Sequence, residues 1–378
     1  MSFKRQDIER LYGSPFVDGN SIELLWKGRE AFGRIFDSVK EAKNFICLEF
    51  YIFRNDDTGI ELSEILKEKV KEGVEVYLLY DYLGSFGTPI SFWRELKSRG
   101  IKVRASHPLR WTSPNGFMHR DHRKLVIIDG HTAFTGGLNI ADEYRGIHLR
   151  KKEPWRDTGI VIKGPEVTAL LKTFKKAWIQ WAKEPVGYSS LPEKAGDLPV
   201  ITIFAHSSRG RRRMRRLIYY SINHAEKDIC LTTAYFTPSR RMLETLEMAQ
   251  KRGVRVRLLL PGESDVPPAH YASRASYERL LRAGVEIYNY KGQVLHAKSY
   301  IFDSCWSIVG SANLDFQSLR WNDEGNVGIL DEGFAKEMID IFEDDLGHSI
   351  QIIEKDWQKR PFKEKLKERF FSLFRRWL

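Results

Sequence analysis

One pattern occurs twice in this chain, and no fold that keeps the two copies apart makes sense of it. The first copy reads His122, Arg123, Lys124, then Leu125-Val126-Ile127-Ile128 and Asp129. After six residues it continues Gly136-Gly137-Leu138-Asn139. The second reads His296, Ala297, Lys298, then Ser299-Tyr300-Ile301-Phe302 and Asp303, and after six residues Gly310-Ser311-Ala312-Asn313. Every matched position is 174 residues from its counterpart. Chance does not supply two such copies. The chain reads as a duplicated unit that brings two histidines and two lysines to one place.

The duplication extends further. Ala42 to Glu49 matches Ala225 to Thr232, Lys71 to Leu79 matches Lys251 to Leu259, and Gly100 to Val103 matches Gly284 to Ile287. Each half alternates helical and strand-like periods. Ile60 to Glu72 and Arg241 to Arg252 read as helices that end at glycine, and Val74 to Tyr80 and Val254 to Leu260 as the strands that follow. Strands alternating with helices of ~10–15 residues predict a layered α/β domain. Glu184 to Pro199 is rich in proline, glycine and serine and reads as a linker. The expected division is a first domain over 1–184, a linker over 185–199, a second domain over 200–350 and a tail over 351–378.

At 378 residues there is room for two cores. A hydrophobic fraction of 42% with 29% charged residues fits a folded soluble protein rather than a disordered one. No run approaches the ~18 apolar residues of a membrane-crossing helix, and the first residues lack the apolar segment of a secretory signal. Cys47, Cys230 and Cys305 are too few for a disulfide framework and read as buried thiols of a cytosolic protein.

The net charge of +11 is concentrated. Arg209 to Arg216 holds six arginines and no acid, and Lys359 to Leu378 holds eight basic and two acidic residues. The rest of the chain is close to neutral. A protein that coats nucleic acid spreads its basic surface more widely, so nucleic acid is not the expected partner. Two local patches suit an anionic surface.

The apolar tetrads of the motif read as buried strands, so His122 and Lys124 should share a face, as should His296 and Lys298. Asp129 and Asp303 stand at strand ends and are expected to anchor a turn or an ion pair. Gly136-Gly137 and Gly310-Ser311 allow close backbone approach, and Asn139 and Asn313 can donate amide N–H bonds. This set suits a phosphodiester. Lysines and amides stabilise negative oxygens, while one imidazole attacks phosphorus and the other protonates the leaving alkoxide. The lysines neutralise charge, so no metal or other cofactor is called for, and no zinc-type ligand array is present. Asp157 and Glu324 follow the two motifs at similar distances. By position each is either a histidine-orienting carboxylate or a surface acid.

These residues resemble the phospholipase D superfamily with its twice-repeated HKD motif, over about 300 residues. The match is nearest to bacterial cardiolipin synthases, through Leu48 to Phe53, Arg120 to Lys124, Gly136 to Tyr144, Trp155 to Gly159, Ala234 to Pro238 and Gly310 to Asp315. The start of the chain resembles the B type, which lacks two N-terminal membrane helices. The resemblance implies an α/β fold of two lobes, each a mixed β-sheet flanked by helices, related by a pseudo-twofold axis with one active site between them. It implies a phosphatidyl-histidine on His122, with His296 as general acid and then base. Lys124, Lys298, Asn139 and Asn313 would hold the phosphate, and Asp157 and Glu324 would orient the histidines. Gln317 departs from the family's usual arginine. The expected reaction makes cardiolipin from phosphatidylglycerol and a second phospholipid. The alternatives are a hydrolase or nuclease using the same two histidines, and an inactive lipid-binding scaffold.

Lipid contact is expected at three places, with the protein peripheral on the cytoplasmic face of the cell membrane. In the tail, Phe362, Leu366, Phe370, Leu373 and Trp377 recur at helical spacing among cations. This is either an interfacial helix or one that packs its apolar stripe on the domain. The loop from His107 to Met118 offers Leu109, Trp111, Phe117 and Met118 as an apolar mouth beside Arg120, or as core. Arg212, within the arginine run, either meets lipid phosphate or lies on a solvated helix.

Overall fold

The computed structural model describes residues 3–109, 118–147, 154–189 and 192–377. The expected Trp111 and Phe117 contacts lie outside them. In the first half the strands are β1 (Val17–Leu25), β2 (Phe45–Phe50), β3 (Glu75–Asp81), β4 (Lys102–Ser106), β5 (Leu125–Ile128), β6 (Thr132–Gly136) and β7 (Gly159–Lys163). In the second they are β8 (Leu198–Ala205), β9 (Asp228–Thr232), β10 (Arg255–Pro261), β11 (Glu286–Tyr290), β12 (Ser299–Phe302), β13 (Trp306–Gly310), β14 (Glu324–Leu330) and β15 (Ser349–Ile352). All belong to one mixed sheet of order β15-β11-β10-β9-β12-β13-β14-β8-β1-β7-β6-β5-β2-β3-β4.

That order reads the same from the centre outwards in both directions, apart from β15. β1 and β8 pair antiparallel at the middle, and each half then repeats one sequence of pairings. Two lobes related by a pseudo-twofold axis follow directly. The strands at the heart of each lobe are buried on both faces, as the apolar run Phe45-Ile46-Cys47-Leu48 of β2 requires. Alternate residues feed different cores: Cys47 and Cys230 face one layer, while Ile46, Leu48, Ile229 and Leu231 face the other. Helices Val167–Ala182 and Glu332–Gly347 cover one face across both halves. The opposite face is covered by separate helical groups, one on each lobe. The three cysteines are buried and free of disulfides.

The division of the chain is less clean than its sequence. Phe3, Ile8, Tyr12 and Phe16 belong to the core of the second lobe. Helix Arg5–Tyr12 packs on helix Ser208–His224, because the strand after it sits at the dyad within reach of either lobe. At the other end, the tail boundary at 350/351 cuts through β15, which pairs antiparallel with β11.

The last helix, Phe362–Ser372, is packed inside out. Its one buried residue is Glu368, 2% exposed, which Arg274 (3.0 Å) and Arg360 (2.9 Å) hold between them. Phe362 (77%), Leu366 (58%), Phe370 (53%) and, just beyond it, Leu373 (74%) point outwards. The stripe therefore does not pack on the domain. The helix rests on its neighbour, Pro267–Arg274, through the Arg274–Glu368 ion pair and a stacked Tyr271–Phe371 contact at 5.7 Å. No described helix is long and apolar enough to cross a membrane.

Candidate active site

β5 and β12 hold the two motifs at equivalent places. Each ends in a turn whose aspartate has a left-handed backbone, φ 51° at Asp129 and φ 49° at Asp303, a conformation this residue type tolerates. Asp129 accepts from the backbone N–H groups of Lys43, Asn44 and Phe45 at 2.7–2.8 Å. Asp303 does the same for Glu226, Lys227 and Asp228 at 2.8–3.1 Å. These acids tie the turn to the start of the neighbouring strand and stand away from the histidines.

The histidines and lysines precede the strands proper, which begin at Leu125 and Ser299. The extended run carrying each histidine pairs with the other half instead. Asp121 bridges Asp323, with His122 N–H donating to the Asp323 carbonyl at 2.9 Å. Arg156 bridges Leu295, with His296 N–H donating to the Arg156 carbonyl at 2.7 Å.

The acids cross over in the same way. Glu324 Oε2 lies 3.1 Å from His122 Nδ1, and Asp157 Oδ2 lies 2.7 Å from His296 Nδ1. Glycine at 137 makes room for the second pair, since a Cβ there would sit 1.9 Å from Asp157 Oδ1. In the other half that position is Ser311, whose hydroxyl donates to Glu324.

His122, His296, Asn139 and Asn313 line one cavity of about 580 Å³, together with Tyr51, Tyr144, Trp155, Arg120, Tyr235 and Asp265. Asn139 accepts from Ile52 N–H at 3.0 Å and donates to the Tyr144 hydroxyl at 2.8 Å. Asn313 accepts from Tyr235 N–H at 3.2 Å. Tyr51 stands edge-on to His122, and Tyr144 and Trp155 flank His296, with ring centres 5.1–5.5 Å apart.

The lysines are buried just behind this lining rather than within it. Lys124 Nζ donates to the His122 carbonyl at 2.6 Å. Lys298 Nζ lies 2.7 and 3.1 Å from the two ring nitrogens of His296 and donates to its carbonyl. A lysine two residues after an extended histidine has that carbonyl as its nearest acceptor, which draws it back from the cavity.

Burial and mutual proximity shape the charges. Lys124 is lowered to about 7 by burial and then by the charge of Lys298. Lys298 is lowered to about 8 by burial. His122 is held well below its ordinary value by burial, with Lys124 and Lys298 adding to it. His296 is lowered by burial and Lys298, against Asp157, which raises it. Burial works to raise Asp157, but Lys298 and His296 hold it below the ordinary carboxyl value. Glu324 is pushed up to about 7 by burial. The two histidine–carboxylate pairs are therefore alike in geometry and unlike in charge.

The remaining expected contacts divide. Arg120 is buried in the cavity wall, donating to the His107 carbonyl at 3.0 Å. Trp377 lines the mouth, with its carbonyl accepting from Gln317 at 3.0 Å. Phe370 is exposed and outside the lining, and so is Arg212. Its neighbour Arg211 turns inwards to Asp323 at 2.9 Å, because a helix directs adjacent residues about 100° apart. His107 and His119 also meet Asp323, and the ligand atoms of these three lie within 4.8 Å of one another. Arg211 already answers the Asp323 charge there.

Sequence reasoning missed Asp265, the Asp323 cluster and the bond from Ser311 to Glu324. Ser311 was visible as the mismatch with Gly137, whereas the counterpart of Asp265 is Ser85, a residue of different type that no matched motif singles out.

A family model described as cardiolipin synthase, PLD-like domain, matches residues 35–178 and 218–346. Cardiolipin synthase 2 of Bacillus cereus is 36% identical, covering 92% of this chain and 69% of that protein. Cardiolipin synthase 1 of Staphylococcus epidermidis is 34% identical over 93% and 73%. Cardiolipin synthase A of Pseudomonas putida is 33% identical over 93% and 74%. The crystal structure of phosphatidylserine synthase from Haemophilus influenzae shares the fold over 100% of both chains, with a TM-score of 0.78 at 16% identity.

Proposed function

The chain belongs to the cardiolipin synthase family with phospholipase D-like domains, and from that premise we propose that it is a phosphatidyltransferase making cardiolipin and glycerol from phosphatidylglycerol and a second phospholipid. The observation that carries the proposal is the pair of histidines on one cavity, each braced by a carboxylate from the opposite half.

In this reading His122 Nε2 attacks phosphorus. The bond to the glycerol headgroup breaks, and the departing alkoxide takes a proton from the His296 imidazolium. The hydroxyl of the second lipid then gives its proton to neutral His296 as its oxygen displaces His122 from phosphorus. The charge asymmetry supports this division of labour. Burial beside Lys124 and Lys298 keeps His122 neutral, with its lone pair free. An ionised Asp157 stabilises the imidazolium that His296 must form. Lys124 and Lys298 supply a positive field behind the reacting phosphate, and Asn139 and Asn313 stand where its oxygens would lie.

The lipid surface is read from the tail. Its outward apolar face, with exposed Lys363, Lys367, Arg369, Arg375 and Arg376 among it, suits an anionic bilayer. The proposed location is peripheral, on the cytoplasmic face of the cell membrane.

Incubation with phosphatidylglycerol vesicles and mass spectrometry of the lipids tests the reaction. Cardiolipin and free glycerol should appear in equal amounts. Phosphatidic acid in place of cardiolipin would assign the protein to the hydrolases instead.

A further inference from the structure

The duplication leaves a nearly symmetric site, and symmetry alone gives the lipid no reason to lie one way round. The register of the sheet shows where the symmetry breaks. Leu125 pairs with Glu49, which pairs with Leu79, while Ser299 pairs with Thr232, which pairs with Leu259. Leu79 and Leu259 are thus equivalent, and six residues beyond each stand Ser85 and Asp265. Ser85 is buried inside its turn, donating to the Tyr51 carbonyl and accepting from Phe53 N–H, both at 3.0 Å. Asp265 instead faces the cavity, and the Tyr235 hydroxyl reaches its two carboxylate oxygens at 2.7 and 2.9 Å. The Tyr235 ring is 6.1 Å from that of His296, so the carboxylate belongs to the His296 side.

A carboxylate on the wall of a phosphate cavity repels the very group the cavity receives. Asp265 is exposed at that wall, so its oxygens are open to hydrogen-bond donors that enter the cavity. A carboxylate has about four lone-pair positions, and the Tyr235 hydroxyl with a long 3.5 Å approach of the Ser264 hydroxyl leaves capacity for further donors. Hydroxyl groups bonding to a carboxylate form short, charge-assisted hydrogen bonds. Trp155 and Tyr144, which flank His296 in the same cavity, offer apolar faces for the carbons of a small polyol.

We infer that Asp265, held by Tyr235, is the subsite for the hydrogen-bond-donating headgroup of the lipid being cleaved, a glycerol diol, on the His296 side of the cavity. This rests on the transferase reading above and adds a direction to it. The headgroup leaves past His296, and the phosphatidyl portion stays with His122. Asp265 is a specificity residue and takes no part in the proton transfers.

The test is a competition in vesicles holding equal amounts of phosphatidylglycerol and phosphatidylmethanol, whose headgroup has no hydroxyl. The ratio of glycerol to methanol released reads headgroup preference directly, and the full-length chain is used throughout. In Asp265→Asn this ratio should fall about tenfold, roughly the worth of one charge-assisted hydrogen bond, and Asp265→Glu should restore part of it. An unchanged ratio overturns the inference, including the case where both releases fall in parallel because Asp265 acts through His296. Adding phosphatidylethanolamine separates a second source of the same chemistry. A loss confined to ethanolamine release would assign the subsite to an amine and overturn the diol. If the unaltered protein releases no glycerol, the transferase reading itself fails, a result visible before any variant is made.

Discussion

Asp157 and His296 are 139 residues apart in the chain and 2.7 Å apart in space, on opposite sides of the molecular dyad. Glu324 and His122 repeat the relationship in reverse at 3.1 Å. Neither half can orient its own histidine, so the site exists only when the lobes are joined.

Replacing Asp157 with Asn keeps the shape of this pair and removes the charge that supports the imidazolium. Transfer by Asp157→Asn should fall by a factor on the order of 10²–10⁴ in kcat, as when a histidine-orienting carboxylate is lost, with KM little altered. Steady-state glycerol release checks it, and retention of more than half of kcat would remove Asp157 from its assigned role.

The glycine at 137 should be nearly as sensitive although it touches no substrate. A methyl group there meets Asp157 Oδ1 at 1.9 Å, so the acid or the backbone must move. Gly137→Ala is expected to lose most activity while remaining folded by circular dichroism. Ser311→Ala, at the equivalent place, opens space, removing a donor to Glu324 and an acceptor for the Gly325 N–H, and should be milder because nothing is forced to move. Equal losses in the two variants would contradict the steric account.

The lysines set a pH dependence. Their folded values of about 7 and about 8 lie below the ordinary 10.5, so both become charged as pH falls through that range. A bound anion favours the charged forms. Sulfate, which keeps its charge throughout, should bind more tightly as pH drops from about 9 to 6, with proton uptake on binding near pH 8. Calorimetry in buffers of different ionisation heat measures both. Affinity independent of pH would show that the lysines do not face the anion's charge.

The tail makes two separable predictions. Phe362, Leu366 and Phe370 are exposed, so replacing all three by Ser should leave thermal stability intact and reduce sedimentation with phosphatidylglycerol vesicles at least about tenfold. Glu368→Ala leaves Arg274 and Arg360 without their shared carboxylate. It should destabilise the fold by about 1–3 kcal/mol. Vesicle binding untouched by the triple change would refute the docking role of the helix.

Much of the fold was legible because its signals are local. The helix expected over Ile60 to Glu72 spans Asp57–Lys71, and the strand expected over Val74 to Tyr80 spans Glu75–Asp81. Periodicity states which face of an element is apolar, and glycine states where it stops. Two readings needed partners that periodicity cannot name. The lysines were expected within the cavity, but the carbonyl of the preceding histidine holds each one behind it. The width of the tail's apolar face favoured the outward reading over packing, but its pattern does not reveal that two arginines elsewhere would bury Glu368 instead of the apolar stripe.

The sequence by itself determined the duplication, and with it the layered lobes and the doubled histidines, lysines and asparagines, because each is a property of residue type and spacing. Tertiary structure alone decided which acid serves which histidine, which face of the last helix meets solvent, and that Asp265 breaks the symmetry of the cavity. Those depend on β1 meeting β8 at the dyad and on the bridges Asp121–Asp323 and Arg156–Leu295. Such contacts join segments more than a hundred residues apart, and no local pattern along the chain encodes them.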